Sequence, residues 1–362
     1  MESFFIKAAQ LLFSLTILVT IHELGHVFFA KLFKTRVEKF YIFFNPWFSI
    51  FKFKPKNSET EYGIGWLPLG GYAKIAGMID ESMDSKQMEK PAQPWEFRSK
   101  PTWQRLLIML GGVIFNFILA LIIYSSILFC WGEKYVPLDK MSFGMDFCET
   151  AKQVGFQNGD ILLLADGVKL ERLDDITMRK VLEAKEVTVR RNDIDTTIQM
   201  PSDFVQQLMK AKTGFVAPRF PLVVREIVEG SPAQKAGFAP NDSLVAVNDI
   251  PTITFDDFAE MAQANKSTQM EVSLYRSGEL MVIAVTPDST GRIGVAPKSL
   301  GGLFPTVTKS YSFFAAIPAG VKLGIDKLTG YVSDMKYVFT KEGATQLGGL
   351  GTMASLFLPV WD

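Results

Sequence analysis

His22, Glu23 and His26 are the residues of this chain whose types and spacing could do chemistry; they stand in the segment HELGH, 22–26. On an α-helix, positions four apart lie on one face, so both imidazoles can grip one metal ion. Zinc suits two imidazoles with a carboxylate and a water, and bound zinc acidifies that water and polarises a peptide carbonyl. The Glu23 carboxylate, beside the first histidine, can take the water's proton and pass it to a leaving amine. HExxH by itself occurs by chance, and two features add weight here. His22 and His26 are the only histidines among the 362 residues. They also lie in a segment that otherwise excludes polar groups. A charge at the centre of a membrane-spanning helix costs at least about 2.5–3.5 kcal/mol, so ionisable residues kept there are functional by default. The bland alternative is a pair of interfacial histidines at a helix end near Lys31.

The elements that must position these residues are two apolar runs, 8–33 and 106–131. Each reaches the roughly 20 residues that cross a bilayer core about 30 Å thick. The first is too long for a signal peptide, and no small-residue cleavage site follows it. Lys31, Lys34, Arg36 and Lys39 close the first run, and Arg98, Lys100 and Arg105 open the second. The positive-inside rule therefore puts 34–105 on the cytoplasmic side, with the N-terminus and everything after Trp131 outside the cytoplasm. Lysine plus arginine equals aspartate plus glutamate at 38 each, so overall charge gives no reason to expect nucleic acid as a partner. A mean hydropathy of +0.16 beside 21% charged residues fits spanning segments joined to soluble ones. Cys130 and Cys148 make neither a disulfide framework nor a zinc-finger pattern.

Between the runs lies GIGWLPLGGYAKIAGM, 63–78, where β-compatible stretches flank Pro68 and Gly70-Gly71. This suits a hairpin or sheet edge, with a simple glycine turn as the alternative. The polar stretch 80–104, with Pro91, Pro94 and Pro101, reads as an extended surface loop. Residues 133–300 are soluble in character and contain a repeat: Gly155-Phe156 and Asp160 align with Gly237-Phe238 and Asp242 at an offset of 82. Each copy continues with a helix-like stretch (174–185 and 255–265). Two strands follow in each (within 187–201 and 272–287), turning at Asn192-Asp193 and Ser277-Gly278. Two copies mean tandem globular domains and not a solenoid. The stretch 310–339 is amphipathic and suits a membrane surface or a place against the second repeat.

The repeats resemble PDZ domains, most clearly in GSPAQKAGFAPNDSLVAVNDIP, 230–251; small β-rich domains of another kind are the alternative. HExxH in the first span, Gly70-Gly71-Tyr72 through Gly77, and Gly112 through Asn116 (GxxxN) in the second resemble the site-2 protease family of intramembrane zinc metalloproteases. The tandem PDZ-like domains are similar to those of its bacterial regulator-of-sigma-E branch, which cleaves membrane-bound anti-sigma factors. The resemblance implies an α-helical transmembrane core, a membrane-associated β-hairpin and two extracytoplasmic PDZ-like α+β domains. The expected boundaries are 1–33 for the first helix, 34–105 for the loop and hairpin, 106–131 for the second helix, and 133–215 and 220–300 for the two domains. An amphipathic segment, 303–362, would lead to a transmembrane region that is missing here.

The resemblance also implies a Zn2+ cofactor on His22 and His26, Glu23 as the catalytic residue, and a bacterial inner-membrane location with the PDZ-like domains in the periplasm. The partners would be the lipid bilayer and a single-span membrane protein already trimmed outside the membrane, with no nucleic acid. Gly70, Gly71 and Tyr72 would pair with unwound substrate as an added strand, and Asn116 would hold or orient it; an interhelical hydrogen bond is the alternative for Asn116. Gly111-Gly112 stands where the family commonly has Gly-Pro. The family's third zinc ligand, an aspartate in a Leu-Asp-Gly motif on a later helix, has no match here, and Asp362 follows without it. The expectation is an N-terminal portion of a longer protein. A noncatalytic membrane adaptor binding peptides through the PDZ-like domains is the second reading. A membrane-anchored zinc protease acting at the surface is a third, but it needs HELGH in a soluble region.

Overall fold

The computed structural model describes residues 2–68, 70–78, 91–340 and 350–357; the expectations that touch 80–90 and Asp362 lie outside them. The chain divides into two compact units. The first holds the residues up to Cys130 with Ser312–Ile325 and, among the described residues, 350–357; the second holds Trp131–Tyr311 with 326–340.

In the first unit the two apolar runs form helices α1 (Glu2–Leu32) and α2 (Thr102–Cys130). Both are long and apolar enough to cross a bilayer, with 18-residue windows of mean hydropathy 2.0 within Phe4–Leu32 and 2.8 within Thr102–Cys130. Large side chains such as Phe13, Phe28, Val113 and Ile122 stand exposed along them, as lipid-facing surfaces require. The helices meet where neither carries a side chain: a Cβ on Gly25 would lie 2.2 Å from the Gly111 carbonyl oxygen, and one on Gly111 would lie 2.6 Å from that of Gly25. Apolar helices in lipid gain little from burying leucine against leucine, so backbone contact at small residues is what fixes such a crossing.

The connecting region folds into a four-stranded sheet of β1 (Val37–Tyr41), β2 (Phe44–Phe53), β3 (Glu61–Leu67) and β4 (Tyr72–Ile75), in the order β2-β3-β1-β4. The expected hairpin of the two strands flanking Gly70-Gly71 does not form. β1 lies between them, parallel to β3 and antiparallel to β4. The glycines carry the chain past the end of β1 instead: Gly70 has φ +145°, and a Cβ on Gly71 would sit 2.6 Å from the Tyr41 carbonyl oxygen. Among the described residues β4 is thus an edge strand. Its Ala73 and Ile75 are buried with Val27 and Ala30 of α1, Val37 of β1 and Ile108 of α2.

The second unit contains the repeat. Strands Ile161–Ala165, Val168–Lys169, Glu186–Arg191 and Ile194–Gln199 form one four-stranded sheet; Ser243–Val247, Ile250–Pro251, Met270–Arg276 and Glu279–Val285 form another with the same strand order. Both expected turns are present. Asn192 and Asp193 have φ of 48° and 63°, Ser277 and Gly278 of 53° and 89°, the positive pairs that suit a tight two-residue hairpin. The expected helices are Asp175–Glu183 and Phe255–Ala264. Each sheet has its own apolar core, around Phe147, Phe156, Leu162 and Val189 in the first and Phe238, Leu244, Phe258 and Leu274 in the second.

The aligned aspartates explain the repeat's signature. Asp160 accepts two hydrogen bonds from Arg191, at 2.8 and 2.7 Å, and the same guanidinium reaches the Gly155 carbonyl. Asp242 accepts two from Arg276, also at 2.8 and 2.7 Å, and that guanidinium reaches the Gly237 carbonyl. Each carboxylate also accepts a nearby backbone N–H, Gln157 in one copy and Ala239 in the other.

The stretch 310–339 contains the helix Phe313–Val338. Its first part packs on α2, with Gly320 against Ser125 and Gly324 against Leu121. Its later part is paired with the first repeat, not the second. Asp334 accepts from Arg179, Lys327 donates to Asp175, and Lys336 and Ser333 donate to Glu183. Opposite charges on the helix Asp175–Glu183 account for that choice.

Burial pushes the Asp242 carboxyl up, but the bonds from Arg276 and the Ala239 N–H, with the Arg276 charge, outweigh it and leave it below its ordinary value of 3.8. A carboxyl depressed in the folded state stabilises the fold fully above its unfolded value and loses that contribution as pH falls through the folded one. The second repeat should therefore lose stability in acid below pH ~4. Arg276→Ala should destabilise it by about 3 kcal/mol at neutral pH, because a buried carboxylate loses its partner. Denaturant unfolding from pH 7 downwards checks both: the two proteins should differ strongly at pH 7, and the difference should shrink as the pH falls below about 4.

Candidate functional site

α1 places His22 and His26 on one face, with ring centroids 4.8 Å apart and planes at 75°. Glu23 follows His22 on the same turn and is half-buried. The crossing at Gly25 and Gly111 brings α2 against these rings, and α2 supplies the groups that orient them.

The first is a backbone group. The Ile108 carbonyl oxygen lies 2.7 Å from His26 Nδ1. A carbonyl only accepts, so Nδ1 carries the proton and the Nε2 lone pair is left for a metal. The second is Asn116, whose Nδ2 lies 3.4 Å from His22 Nδ1 and whose buried Oδ1 has no hydrogen-bond partner among the described residues. Turning the amide over sets Oδ1 against Nδ1–H of His22, which satisfies the buried oxygen and frees Nε2 of this ring too. The third is the space left by Gly112: a Cβ there would lie 2.5 Å from both Nε2 and Cδ2 of His22. The second glycine of Gly111-Gly112 thus leaves the ring room to stand. These features fit a metal held by two imidazole Nε2 atoms. Among the described residues no group of three His, Cys, Asp or Glu could hold one alone.

The remaining expected residues belong to the sheet. Gly70 and Gly71 form the crossing past β1. Tyr72 stacks on Tyr41 at 5.4 Å and on Phe44 at 6.2 Å, and its hydroxyl donates to Asn45 Oδ1 at 3.0 Å. Its ring therefore stiffens the end of β4, while the strand docks on α1 through Ala73 and Ile75. Of the residues that the sequence singled out, the structure brings His22, His26 and Asn116 together, with Glu23 on the same turn as His22, and places Gly70 and Gly71 in the sheet region. Sequence reading missed the Ile108 carbonyl, because any residue type offers a backbone oxygen.

A family model, peptidase family M50, matches residues 10–357. Among curated relatives, a Borreliella burgdorferi protein provisionally named a zinc metalloprotease is 29% identical over 281 residues, covering 74% of this chain and 60% of that protein. Protease RseP of Yersinia pestis is 27% identical over 346 residues, covering 89% of this chain and 74% of its own length. Regulator of sigma-E protease RseP of Salmonella typhimurium is 27% identical over 332 residues, covering 85% and 71%. The chain thus spans about three-fifths of the Borreliella relative's length.

The Gly112 contact gives a direct test. Gly112→Ala puts a methyl group into the His22 ring, so the ring must leave its position; the variant should be purified with its bound metal largely lost. Val113→Ala, on an exposed side chain one residue away, should keep it. Metal content of the two purified proteins checks the difference.

Proposed function

The chain belongs to peptidase family M50, and from that membership we propose that the protein is a zinc endopeptidase that cuts peptide bonds within the membrane. The observation that carries this reading is the orientation of two imidazoles inside an apolar helix. Ile108 and Asn116 turn both Nδ1 atoms inward, and Gly112 leaves His22 its place. A pair of interfacial histidines with no function would need no such arrangement. Family membership also favours a protease over a noncatalytic adaptor.

His22 and His26 would hold zinc through Nε2. Bound there, zinc supplies an acidified water and polarises the scissile carbonyl. Zinc sites of this kind take three protein ligands, and we assign the third to a carboxylate outside the described residues. Glu23 takes the proton of the attacking water and returns it to the leaving amine. Its half-buried place in an apolar helix keeps bulk water from competing for that proton. Asn116 holds His22 in its tautomer and can donate to substrate with its amide nitrogen.

A peptide must be extended to be cut, and an unwound segment within a membrane needs partners for its backbone. The edge strand β4 offers them: its outer side takes an added strand, and its inner residues anchor it to α1 one turn beyond His26. We assign the substrate as a single-span membrane protein trimmed beforehand outside the membrane, such as an anti-sigma factor, in a bacterial inner membrane. The two repeats act as PDZ-like domains on the periplasmic side. The first lacks the Gly-Ser-Pro-Ala lead-in of 230–233, which favours exclusion of bulky ectodomains over peptide capture.

Glu23→Gln should lower cleavage of a single-span reporter by about 10²-fold or more while zinc content is unchanged, because the carboxylate moves a proton and leaves the metal to the histidines. Cleavage rates of purified wild type and variant, with zinc measured in the same samples, check it; comparable turnover would refute the assignment.

A further inference from the structure

The two repeats share a sheet but not its outer surface. In the first repeat the outer strand, Ile194–Gln199, turns a ladder of polar pairs to water. Asp195 accepts from Arg190 at 3.0 Å, Thr197 and Thr188 share a hydrogen bond at 3.4 Å, and Gln199 donates to Glu186 at 3.1 Å. Each pair is directly opposed in register. In the second repeat the matching places hold Leu280 opposite Tyr275, Val282 opposite Ser273 and Ala284 opposite Glu271. Leu280 and Val282 are 61% and 59% exposed, and Tyr275 is exposed beside them. One fold thus carries a polar face in one copy and an apolar face in the other, so the sheet itself does not call for the apolar residues.

The same strand is an edge. Among the described residues Glu279–Val285 pairs with Met270–Arg276 on one side and with no strand on the other. Its register runs from Glu279 to Val285 without a bulge. Proteins commonly guard such edges with a lysine, a proline or a bulge. This strand has none of them, and its one charge, Glu279, stands at its start. An apolar face alone would suit lipid, but lipid chains offer nothing to the open N–H and C=O groups of an edge. A second strand satisfies both the face and the backbone.

We propose that this edge joins a second copy of the chain, the two Glu279–Val285 strands pairing antiparallel about a twofold axis at Val282. Val282 is the middle residue, so this centre leaves no position of the strand unpaired. Glu279 stands opposite Val285, Leu280 opposite Ala284, Met281 opposite Ile283, and Val282 opposite its own counterpart. Apolar side chains meet apolar ones at all but the ends, and Glu279 never faces itself, so no like charges are opposed. A twofold contact demands such self-complementarity. A strand from a different protein would have to supply the same run of apolar residues independently. The pairing makes one continuous sheet of the two copies' second repeats, and it does not depend on the zinc site.

The test uses the full-length protein in membranes, with Cys130 and Cys148 replaced by alanine. Under a mild oxidant Val282→Cys should give a covalent dimer, because opposed residues of antiparallel strands stand about 4.5–5.5 Å apart at Cα, within disulfide reach. Thr197→Cys, at the matching exposed position of the first repeat, should give none. In the purified protein Val282→Lys should shift the mass from dimer to monomer, and Thr197→Lys should not. Both side chains are exposed, so neither lysine disturbs a core. Absence of the covalent dimer, or equal yields from the two cysteine variants, overturns the proposal. A dimeric mass unchanged by Val282→Lys overturns it too, and puts the contact elsewhere. A label attached in Val282→Cys that brominated lipid quenches, with no covalent dimer formed, overturns it and gives the face to the bilayer. A covalent product with a different protein alone overturns it in favour of that protein.

Discussion

The contact between the backbones of Gly25 and Gly111 is the constraint on which the candidate site depends. Leucine-rich helices slide and rotate easily against each other in lipid, since lipid chains pack against them as well as a partner helix does. A carbonyl-to-backbone approach with no side chain between removes that freedom. Once the crossing is fixed, three α2 positions take their roles from helical spacing alone. Ile108 turns its carbonyl to His26, Gly112 clears His22, and Asn116 reaches His22 one turn further. A metal site tolerates little error in the direction of its lone pairs, and second-layer hydrogen bonds are what hold imidazoles in place. Here the helix crossing sets that layer.

The sheet depends on the same contact at one remove. Ala73 and Ile75 sit in a core shared with Val27, Ala30 and Ile108, so β4 is fixed to the two helices that orient the imidazoles. A small residue at 73 lets the strand lie close to α1, and the Tyr41, Tyr72 and Phe44 stack stiffens the other face. Among the described residues β4 is an edge strand held on one face, the arrangement that strand addition of a peptide requires. The repeats follow a different economy, each with its own apolar core and a buried aspartate gripped by one arginine. The charged face of the helix Phe313–Val338 matches the helix Asp175–Glu183 of the first repeat residue for residue.

Much of this was legible in the sequence, for identifiable reasons. HELGH reads directly, because helical spacing turns four residues of separation into one face. The spans read from apolar length, and the turns at Asn192-Asp193 and Ser277-Gly278 from residue types that accept positive φ. The repeat showed through Gly155 with Gly237 and Asp160 with Asp242, whose separation the fold holds constant. Their arginine partners escaped notice, since Arg191 and Arg276 are 85 residues apart and not 82. The sequence left a hairpin or a sheet edge open at Gly70-Gly71, and the fold takes the edge. Local pattern reports that 61–67 and 72–75 are strands, but it carries no information about which strand will come between them. Nor does a residue's name reveal its carbonyl, and the Ile108 oxygen could be found only once the helices were placed against each other.

The central claim is that His22 and His26 together hold zinc through Nε2, oriented by α2. Zinc K-edge X-ray absorption on the purified full-length protein tests it most directly. The account predicts a bound zinc with two imidazole ligands at about 2.0–2.1 Å, and loss of that imidazole scattering in a His22→Ala, His26→Ala variant. Zinc bound with no imidazole in its shell, or an unchanged spectrum in the double variant, would contradict it.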